Sequence, residues 1–330
     1  MKVGLTYDLR EDYGIDKNSE IYADFCNPNE IGYIAEAIRR NGHEVELVGN
    51  MYRLNERIRQ GTFDCDLVFV EDEGLASRNR EAIVPALLEL NGIPYVGSDA
   101  YAMGLTQNKY HTKLVAQALG IRVPSGLYLP CDKSVSRRKL QDLMEDNHLS
   151  FPLIIKPNAE GYSMGVFLVH DLEEMEKAVQ FDMANYHQEV IAEQYIHGPE
   201  LYVPLVGSGE RAYSLGVGVC CYADGSQIDV FSLKDKCFRE IVDRVAALPA
   251  STARELEEWS LSLYRHLECK DFGRVDFKLD RVGTPYFLEI NPRPGLTEKG
   301  PYETCGAGMG KSYDEIIGEI IDSARERWSI

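Results

Sequence analysis

The sequence predicts a doubly wound α/β unit with a parallel sheet, followed by α+β units with antiparallel sheets. Strand and helix patterns alternate over about the first hundred residues, which is typical of a parallel sheet. From "FPLIIKP" at residue 151 onward, alternating strands are joined by Gly-rich turns and helices become fewer. Because 330 residues exceed one typical domain, we expect three domains, at 1–100, 101–190 and 191–330.

The elements of the first unit follow from local patterns. "KVGLTY" (2–7) is a buried strand, and "EIGYIAEAIRRNG" has helical periodicity that ends at an Asn-Gly helix stop. "HEVELVG" and "CDLVFVED" are further strands, and "REAIVPALLELNG" is a helix that precedes the strand "IPYVGS". "NKYHTKLVAQALGIRVPSG" is a helix that leads into a Pro-Ser-Gly turn and out of the first unit.

Composition narrows the classes of partner and compartment. A net charge of -18 argues against a nucleic-acid backbone or an anionic membrane as the main partner, although local cations still permit an anionic small molecule. The eight cysteines form no C-x-x-C pair, which favours a reducing compartment. With no signal h-region and no apolar run of membrane-spanning length, we expect a cytoplasmic protein.

The stretch "DFGRVDFKLDRVGTPYFLEINPRPG" (271–295) reads as a hairpin with one polar face. If it is symmetric about residues 282 and 283, Arg274 lies opposite Asn291 and Asp276 lies opposite Glu289. Side chains alternate along a strand, so these four groups share one face. The other face is expected to be apolar and to consist of Val275, Phe277, Leu279, Tyr286, Leu288 and Ile290.

Two carboxylates on neighbouring strands repel each other and need a counter-charge. One interpretation is a surface ion-pair ladder completed by Arg274. The favoured one is one or two Mg²⁺ ions bound by Asp276, Glu289 and Asn291, because Mg²⁺ prefers such oxygens and usually keeps phosphates in its shell. The Pro- and Gly-containing "NPRPG" that follows would bring backbone amides close to a ligand.

Two further segments suggest nucleotide binding. In "FPLIIKPNAEGYSMGVFLV" (151–169), Lys156 ends a strand, and a loop with Gly161, Ser163 and Gly165 can place backbone N–H groups on a phosphate. In "VIAEQYIHGPELYVPLVG" (190–207), one of Glu193 and Glu200 could bind an adenine amino group through the local backbone and the other a ribose, or both could be solvated glutamates. The two common nucleotide fingerprints, G-x-x-x-x-G-K-[ST] and G-x-G-x-x-G after the first strand, are absent.

Taken together and in this order, the motifs resemble the ATP-grasp superfamily and its D-alanine–D-alanine ligase-like branch. The most specific segments are "IIKPNAEGYSMGV", "EQYIHGPELYV" and "GRVDFKLDRVGTPYFLEINPRPGLT". "LLELNGIPYVGSDAYAMGLTQNKYHTK" resembles the segment by which that branch enters its central domain. The resemblance implies an ATP-grasp fold whose two α+β domains clamp ATP, with two Mg²⁺ (or Mn²⁺) ions, and leaves a homodimer open.

The resemblance also implies roles for residues around ATP. Lys109 and Lys156 would contact the phosphates under a lid, the loop 160–166 that begins at Glu160. Lys236 would reach the γ-phosphate, with Lys234 as the alternative. The adenine pocket and the ribose site would consist of Glu193, Gln194, Tyr195, Ile196 and Glu200, with Gln194 and Ile196 contributing backbone groups.

The catalytic set implied by the resemblance comprises Arg274, the backbone N–H of Gly295, Lys236 and Ser163, with Arg274 and Gly295 forming an oxyanion site. The implied reaction begins with attack of a carboxylate on the γ-phosphate, which gives an acyl phosphate. An amine then displaces phosphate through a tetrahedral anion. Such chemistry needs positioning and charge neutralisation more than a protein nucleophile.

The amino-acid half departs from the branch's pattern. Where the branch has a His-Glu-x-x-Ser-like stretch, this chain has "YDLREDYGIDKNSE", in which Asp8, Glu11 or Asp12 could hold the donor ammonium. Where the branch has Ser-Pro-Gly-Met-Thr, this chain has "RPGLTEKGPY". Arg293 or Lys299 could pair with an acceptor carboxylate or be a surface charge on a mobile loop. The candidate substrate residues are Glu11, Arg293, Gly295, Leu296 and Lys299.

The sequence therefore predicts an ATP- and Mg²⁺-dependent carboxylate–amine ligase, acting on small molecules and forming a dipeptide or a modified amino acid. One alternative is an authentic D-alanine–D-alanine ligase of cell-wall synthesis. The other, from a different class, is a non-catalytic ATP-binding module.

Overall fold

The computed structural model describes residues 1–16, 22–75, 77–131, 135–228, 230 and 239–330. Their strands form three sheets, each built from one continuous part of the chain. The strands are β1 Lys2–Tyr7, β2 Glu44–Gly49, β3 Leu67–Glu71, β4 Tyr95–Val96, β5 Gly126–Leu129, β6 Leu153–Pro157, β7 Phe167–Val169, β8 Val190–Gln194, β9 Glu200–Val206, β10 Tyr213–Ser214, β11 Gly218–Tyr222, β12 Ile241–Val245, β13 Phe272–Leu279 and β14 Pro285–Asn291.

The α-helices of the described residues are α1 Pro28–Arg40, α2 Met51–Gln60, α3 Ile83–Leu90, α4 Ala100–Gln107, α5 Lys109–Ala118, α6 Arg137–Asp146, α7 Leu172–Tyr186, α8 Ala250–His266, α9 Pro301–Gly308 and α10 Tyr313–Trp328. The sequence pattern left α2 unpredicted. Its signals were nevertheless present, because Asn50 caps its first turn and Gly61 ends it at φ 68.

The first sheet has the strand order β2-β1-β3-β4, and all its pairings are parallel. This confirms the predicted parallel sheet of the first unit. The carboxyl ends of its strands meet at one edge, where ligands bind in open α/β sheets. Helix α1 begins at that edge, and its N-cap Asn27 accepts hydrogen bonds from the N–H groups of Asn29 and Glu30 (both 3.0 Å).

The second and third sheets are antiparallel, as the change of pattern predicted. The second has the order β5-β8-β6-β7, and the third has β12-β11-β9-β13-β14 with β10 paired to β9. The predicted lid loop lies between β6 and β7, which pair as a hairpin. Thus the lid projects from one sheet, while the predicted metal ligands lie on the strands β13 and β14 of another.

The β13–β14 hairpin has the predicted register where the polar groups lie. Arg274 pairs with Asn291, and Asp276 pairs with Glu289. A bulge then shifts the register, so that Phe277 pairs with Phe287 and Leu288 has no partner across the strands. The prediction that Tyr286 and Leu288 belong to the apolar core face was therefore wrong. Phe287 takes the buried position, and Leu288 is displaced toward the site.

The C-terminal helix α10 packs with α1 against the first sheet in one apolar core. Asp271, which is fully buried, links the parts of this arrangement. Its carboxylate accepts hydrogen bonds from the N–H of Gly97 (2.9 Å), from Ser208 Oγ (3.0 Å), from Ser323 Oγ (2.9 Å) and from Arg327 Nη2 (2.7 Å). One side chain thereby ties the first sheet, the third sheet and α10 together.

The described cysteines are all free thiols. Among the helices that the structure describes, none is long and apolar enough to cross a membrane.

Replacing Phe272 with alanine tests whether the sheets share a core. Phe272 is fully buried, and its ring lies 6.0 Å from that of Phe69 in the first sheet. We expect Phe272→Ala to lower the free energy of unfolding by about 3–5 kcal/mol. Val282→Ala, at a position 87% exposed on the hairpin turn, should change it by less than about 0.5 kcal/mol. Urea denaturation followed by tryptophan fluorescence measures both, and equal effects would contradict the shared core.

Candidate active site

A pocket between the second and third sheets brings most of the predicted nucleotide residues together. The predicted residues that line it are Lys109, Lys156, Glu160, Gly161, Ser163, Glu193, Gln194, Tyr195, Ile196, Glu200, Asp276 and Glu289. Leu288, exposed to the pocket by the bulge, and Lys278 also line it. The two halves of the predicted machinery, the lid and the acidic hairpin, thus face one space.

Glu193, on the floor of this pocket, is bound by two lysines. Lys113 Nζ and Lys156 Nζ each lie 2.9 Å from one of its carboxylate oxygens. Burial alone would raise the pKa of Glu193, but the two ammonium groups lower it. Burial lowers the pKa of Lys113 to about 8 despite Glu193, and Lys113 also donates to the carbonyl of Leu288 (2.8 Å). Glu193 is therefore an ionised, fixed acceptor rather than a solvated side chain.

Lys109 occupies the space between the lid and the hairpin. Its Nζ lies 2.5 Å from the carbonyl oxygen of Glu160 and 3.2 Å from Glu289 Oε2. Burial alone would raise the pKa of Glu289, but Lys109, Lys156 and Arg274 lower it to about 2. Glu289 thus stays ionised at neutral pH, and the ammonium group of Lys109 neutralises it within the protein.

Asp276 is held in a bidentate ion pair. Arg274 Nε and Nη2 donate to its two carboxylate oxygens at 2.7 and 2.8 Å, and Asn291 Nδ2 donates at 2.9 Å. Burial opposes the charge on Arg274, but Asp276 raises its pKa well above the ordinary value. Arg274 and Asn291 are therefore linked to the pocket through Asp276, while Glu289, opposite Asp276 in the hairpin, is held by Lys109.

The lid is fixed at its base and closely packed at its end. The Glu160 carboxylate accepts from Arg80 Nη1 (3.0 Å) and Gln188 Nε2 (2.6 Å), and Arg80 also binds Asp24 (2.6 Å). At Gly165, which has φ 69, a Cβ would lie 2.6 Å from Asp182 Oδ1 and 2.7 Å from Pro157. A side chain has no room at that position, so the lid needs glycine there.

The adenine side of the pocket differs in one detail from the expectation. The backbone N–H of Gln194 donates to the carbonyl of Ser125 (2.8 Å), so this group is not available to a base. Tyr195 and Ile196 are buried, and Lys278 Nζ lies 5.4 Å from the centre of the Tyr195 ring. Lys278 follows Arg274 and Asp276 on the same strand face, so period two alone could have identified it.

A second group of charged residues, which we call the acidic cluster, lies at the carboxyl ends of β1 and β3. It consists of Asp8, Glu30, Glu71, Asp72, Glu73 and Glu81 around the guanidinium of Arg293. It reaches the predicted oxyanion residue, because a Cβ at Gly295 would lie 3.3 Å from Glu30 Oε1. Glu30, which the sequence did not single out, therefore lies beside the predicted oxyanion residue Gly295.

Arg293 is buried in this cluster, only 6% exposed. Its guanidinium lies 2.8 Å from Glu73, 3.9 Å from Glu71 and 4.0 Å from Glu81. The expectation of a surface charge on a mobile loop was therefore wrong for Arg293. Because its guanidinium already lies beside protein carboxylates, a substrate carboxylate would compete with them, and the predicted pairing of Arg293 with an acceptor stays a prediction.

Several cluster carboxyls have raised pKa values. Burial raises the pKa of Glu71 to about 8, with Arg293 opposing and Glu30 and Asp72 adding to the shift. Burial and the charge of Asp8 raise the pKa of Asp72, and Arg293 offsets this shift only in part. Burial also raises the pKa of Glu30. One guanidinium therefore does not neutralise the cluster.

The remaining predicted residues lie in different surroundings, from the core to the surface. Leu296 is fully buried in the core of the first sheet, so its side chain packs inside the protein and its part in substrate binding stays a prediction. Lys299 is exposed, and its N–H donates to Glu303 (2.6 Å). Glu11 is exposed on a short 3-10 helix, outside the acidic cluster. Lys234 and Lys236 lie outside the described residues.

Comparison with known proteins assigns the family. The family model described as "D-ala D-ala ligase C-terminus" matches residues 115–322. The chain is 33% identical over 247 residues to a D-alanine–D-alanine ligase of Bordetella avium, covering 74% of each chain. The chain belongs to the D-alanine–D-alanine ligase family. It is also 31% identical over 270 residues to the uncharacterised y4sG protein of Sinorhizobium fredii, covering 79% of this chain and 75% of that one.

A solved structure shares the whole fold. The D-alanine–D-alanine ligase of Bacillus anthracis complexed with ATP superimposes with a TM-score of 0.75 at 22% identity, covering 100% of this chain and 99% of that one. The predicted ATP-grasp fold is thus confirmed. The chain is an ATP-dependent, ADP-forming carboxylate–amine ligase, and the alternative of a non-catalytic ATP-binding module was wrong.

Lys113 offers a test of the pocket floor. We expect Lys113→Met to weaken ATP binding about tenfold, or about 1.4 kcal/mol, because Glu193 loses one of the two cations that fix it. Lys177→Met is the matched control, since Lys177 also pairs with a glutamate (2.7 Å) but on an exposed helix face. Isothermal titration calorimetry with ATP measures both affinities. An unchanged affinity in a folded Lys113→Met protein would contradict this role.

Proposed function

We propose that the pocket binds ATP and that the enzyme joins an amino-acid carboxylate to an amine through an acyl phosphate. The observation that carries the proposal is the polar face of the β13–β14 hairpin. On it, Arg274 and Asn291 bind Asp276, and Glu289 pairs with Lys109, beside the lid in one pocket. Glu193 would bind the adenine amino group and Glu200 the ribose. Lys109 and Lys156 would bind the phosphates, with the Ser163 region of the lid above them.

The donor set of the hairpin fits Mg²⁺. Asp276 and Glu289 provide carboxylate oxygens on paired positions, and Asn291 adds an amide oxygen. Arg274 and Lys109 now hold these carboxylates, as expected for charges that need a cation partner. When bound, Mg²⁺ would neutralise phosphate charge. Two ions held by Asp276, Glu289 and Asn291 remain a proposal, with Mn²⁺ as a substitute.

The groups that would act on the substrates lie along the loop after β14. The exposed backbone of Gly295 and the guanidinium of Arg274 would donate to the oxygen that becomes negative as the amine attacks. Glu30, which lies against Gly295, would hold an ammonium group of the donor amino acid. This replaces Glu11 as the candidate, because Glu11 is exposed outside the acidic cluster.

The substrates are proposed to differ from two D-alanines. In this chain an arginine buried among carboxylates, Arg293, stands where the branch has a serine. We therefore favour a dipeptide or modified-amino-acid ligase. The second candidate is a D-alanine–D-alanine ligase, which the name of the Bordetella avium relative favours. The domain division at 1–100, 101–190 and 191–330 and a homodimer also stay proposals.

The test is ADP formation by the full chain with ATP, Mg²⁺ and pooled D- and L-amino acids, with products identified by mass spectrometry. We expect Mg²⁺-dependent ADP release and a new amide product, both abolished by EDTA and restored by Mg²⁺. Formation of D-alanyl-D-alanine alone would support the second candidate. ADP release that does not depend on any amino acid or amine would contradict the ligase proposal.

Arg274 should matter for turnover far more than for folding. We expect Arg274→Ala to lower kcat about 10² to 10³-fold, the usual loss for one preorganised oxyanion donor, while the thermal midpoint changes little. Arg281→Ala is the control, because Arg281 is exposed on the turn of the same hairpin. Steady-state kinetics and thermal melts measure both variants. A variant with normal kcat would exclude Arg274 from the oxyanion site.

A further inference from the structure

The acidic cluster contains more negative charge than the described residues around it neutralise. Its six carboxyls surround the guanidinium of Arg293, which pairs with Glu71, Glu73 and Glu81. Arg80 also lies near Glu73 and Glu81, but its ion pairs are with two further carboxylates, those of Asp24 and Glu160. Asp8 is satisfied by hydrogen bonds alone, from the N–H of Gly74 (2.7 Å) and from the Tyr13 hydroxyl. The carboxyls on the β1 side therefore have no cation of their own in the described part of the chain.

Two of these carboxyls also have unpartnered oxygens. Asp72 is 2% exposed and Glu71 1% exposed. Neither oxygen of Asp72 nor Oε1 of Glu71 has a hydrogen-bond partner among the described residues. A buried carboxylate oxygen without a partner is costly, and such a group in a native protein calls for a bound water, ion or ligand, or for a catalytic role. These oxygens accept hydrogen bonds, and a donor with a positive charge would satisfy them and also offset the excess of carboxyls.

The position of these oxygens connects them to the donor site. Glu30 lies against Gly295. The thiol of Cys26 links Glu30 to Glu71, because burial and the charges of both carboxyls raise its pKa. The same thiol donates to the backbone carbonyl of Glu71 (3.7 Å). Asp72 follows Glu71 at the end of β3, in the crevice where open α/β sheets bind ligands. The row of carboxyls therefore runs from Glu30, the proposed ammonium site, to Glu71 and Asp72 at the end of β3 in the first sheet.

We propose that the donor substrate is an amino acid with a second cationic group, and that Asp72 and Glu71 bind that group while Glu30 binds the α-ammonium. The inference rests on the proposed function, because it assigns the substrate class of the same site. The raised pKa values of Glu71 and Asp72 agree with it, since burial and the neighbouring carboxyls outweigh the effect of Arg293 on both groups. A side-chain ammonium or guanidinium supplies both the charge and the N–H donors.

The test measures the donor half-reaction alone. Hydroxylamine replaces the acceptor amine, so that any donor activated as an acyl phosphate appears as a hydroxamate together with ADP. The full chain is assayed with ATP, Mg²⁺ and both enantiomers of 2,3-diaminopropionate, ornithine, lysine and arginine. Alanine, norvaline, norleucine and citrulline serve as neutral counterparts. We expect the best cationic donor to exceed its neutral counterpart at least about tenfold in kcat/KM.

Variants separate recognition from folding. Asp72→Asn should bring the ratio of cationic to neutral kcat/KM close to one, and Glu71→Gln should lower it in part. Asp64→Asn, at the opposite end of β3 and 67% exposed, should leave the ratio as in the wild type. Because Asp72→Asn removes a buried carboxyl that repels Asp8 and Glu71, we expect its thermal midpoint without substrate to equal or exceed that of the wild type.

The outcomes distinguish the two levels of the proposal. Wild-type turnover with neutral donors equal to or better than cationic ones overturns this inference and leaves the ligase proposal intact. A cationic preference that survives in folded Asp72→Asn and Glu71→Gln proteins also overturns the assignment to these residues. ADP release that requires no donor of either kind overturns the proposed function, and the inference with it.

Discussion

The repulsion between Asp276 and Glu289 is the constraint around which the ATP side of the molecule is arranged. Paired on neighbouring strands, the two carboxylates destabilise the hairpin unless cations lie beside them. Arg274 meets one from the same strand, and Lys109 meets the other from α5. The same rule recurs at Glu193, where Lys113 and Lys156 offset a buried charge. These balanced pairs keep the acceptor groups ionised and fixed before any nucleotide arrives.

The acidic cluster is organised differently. There the carboxyls at the ends of β1 and β3 outnumber the cations in the described residues, and several buried oxygens lack partners. This contrast distinguishes the residues proposed to bind ATP from those proposed to select the substrate. The nucleotide chemistry is common to the family, so its charges are balanced within the protein. Specificity depends on what the pocket leaves unsatisfied, because only a matching substrate can complete those groups.

Much of the fold and half of the site followed from sequence. The hairpin register was predictable because Arg274, Asp276, Glu289 and Asn291 alternate about a clear turn. The bulge was not, since Tyr286, Phe287 and Leu288 are all apolar and any of them suits a core face. Lys113 could have been found from its i,i+4 spacing to Lys109. The role of Glu30 and the burial of Arg293 could not be predicted, because this contact forms between a helix N-terminus and a loop more than 250 residues away in the chain.

The packing of α10 on the first sheet has a consequence during synthesis of the chain. Strand β4 ends at Val96, but α10 begins only at Tyr313. At about 5–20 residues per second, a ribosome needs on the order of 10 to 40 s to make the intervening segment. Throughout that interval the apolar face around Leu5 and Phe69 lacks the helix that covers it. A nascent chain stalled before its last helix would therefore be a client for chaperones, and a natural target for quality-control proteolysis.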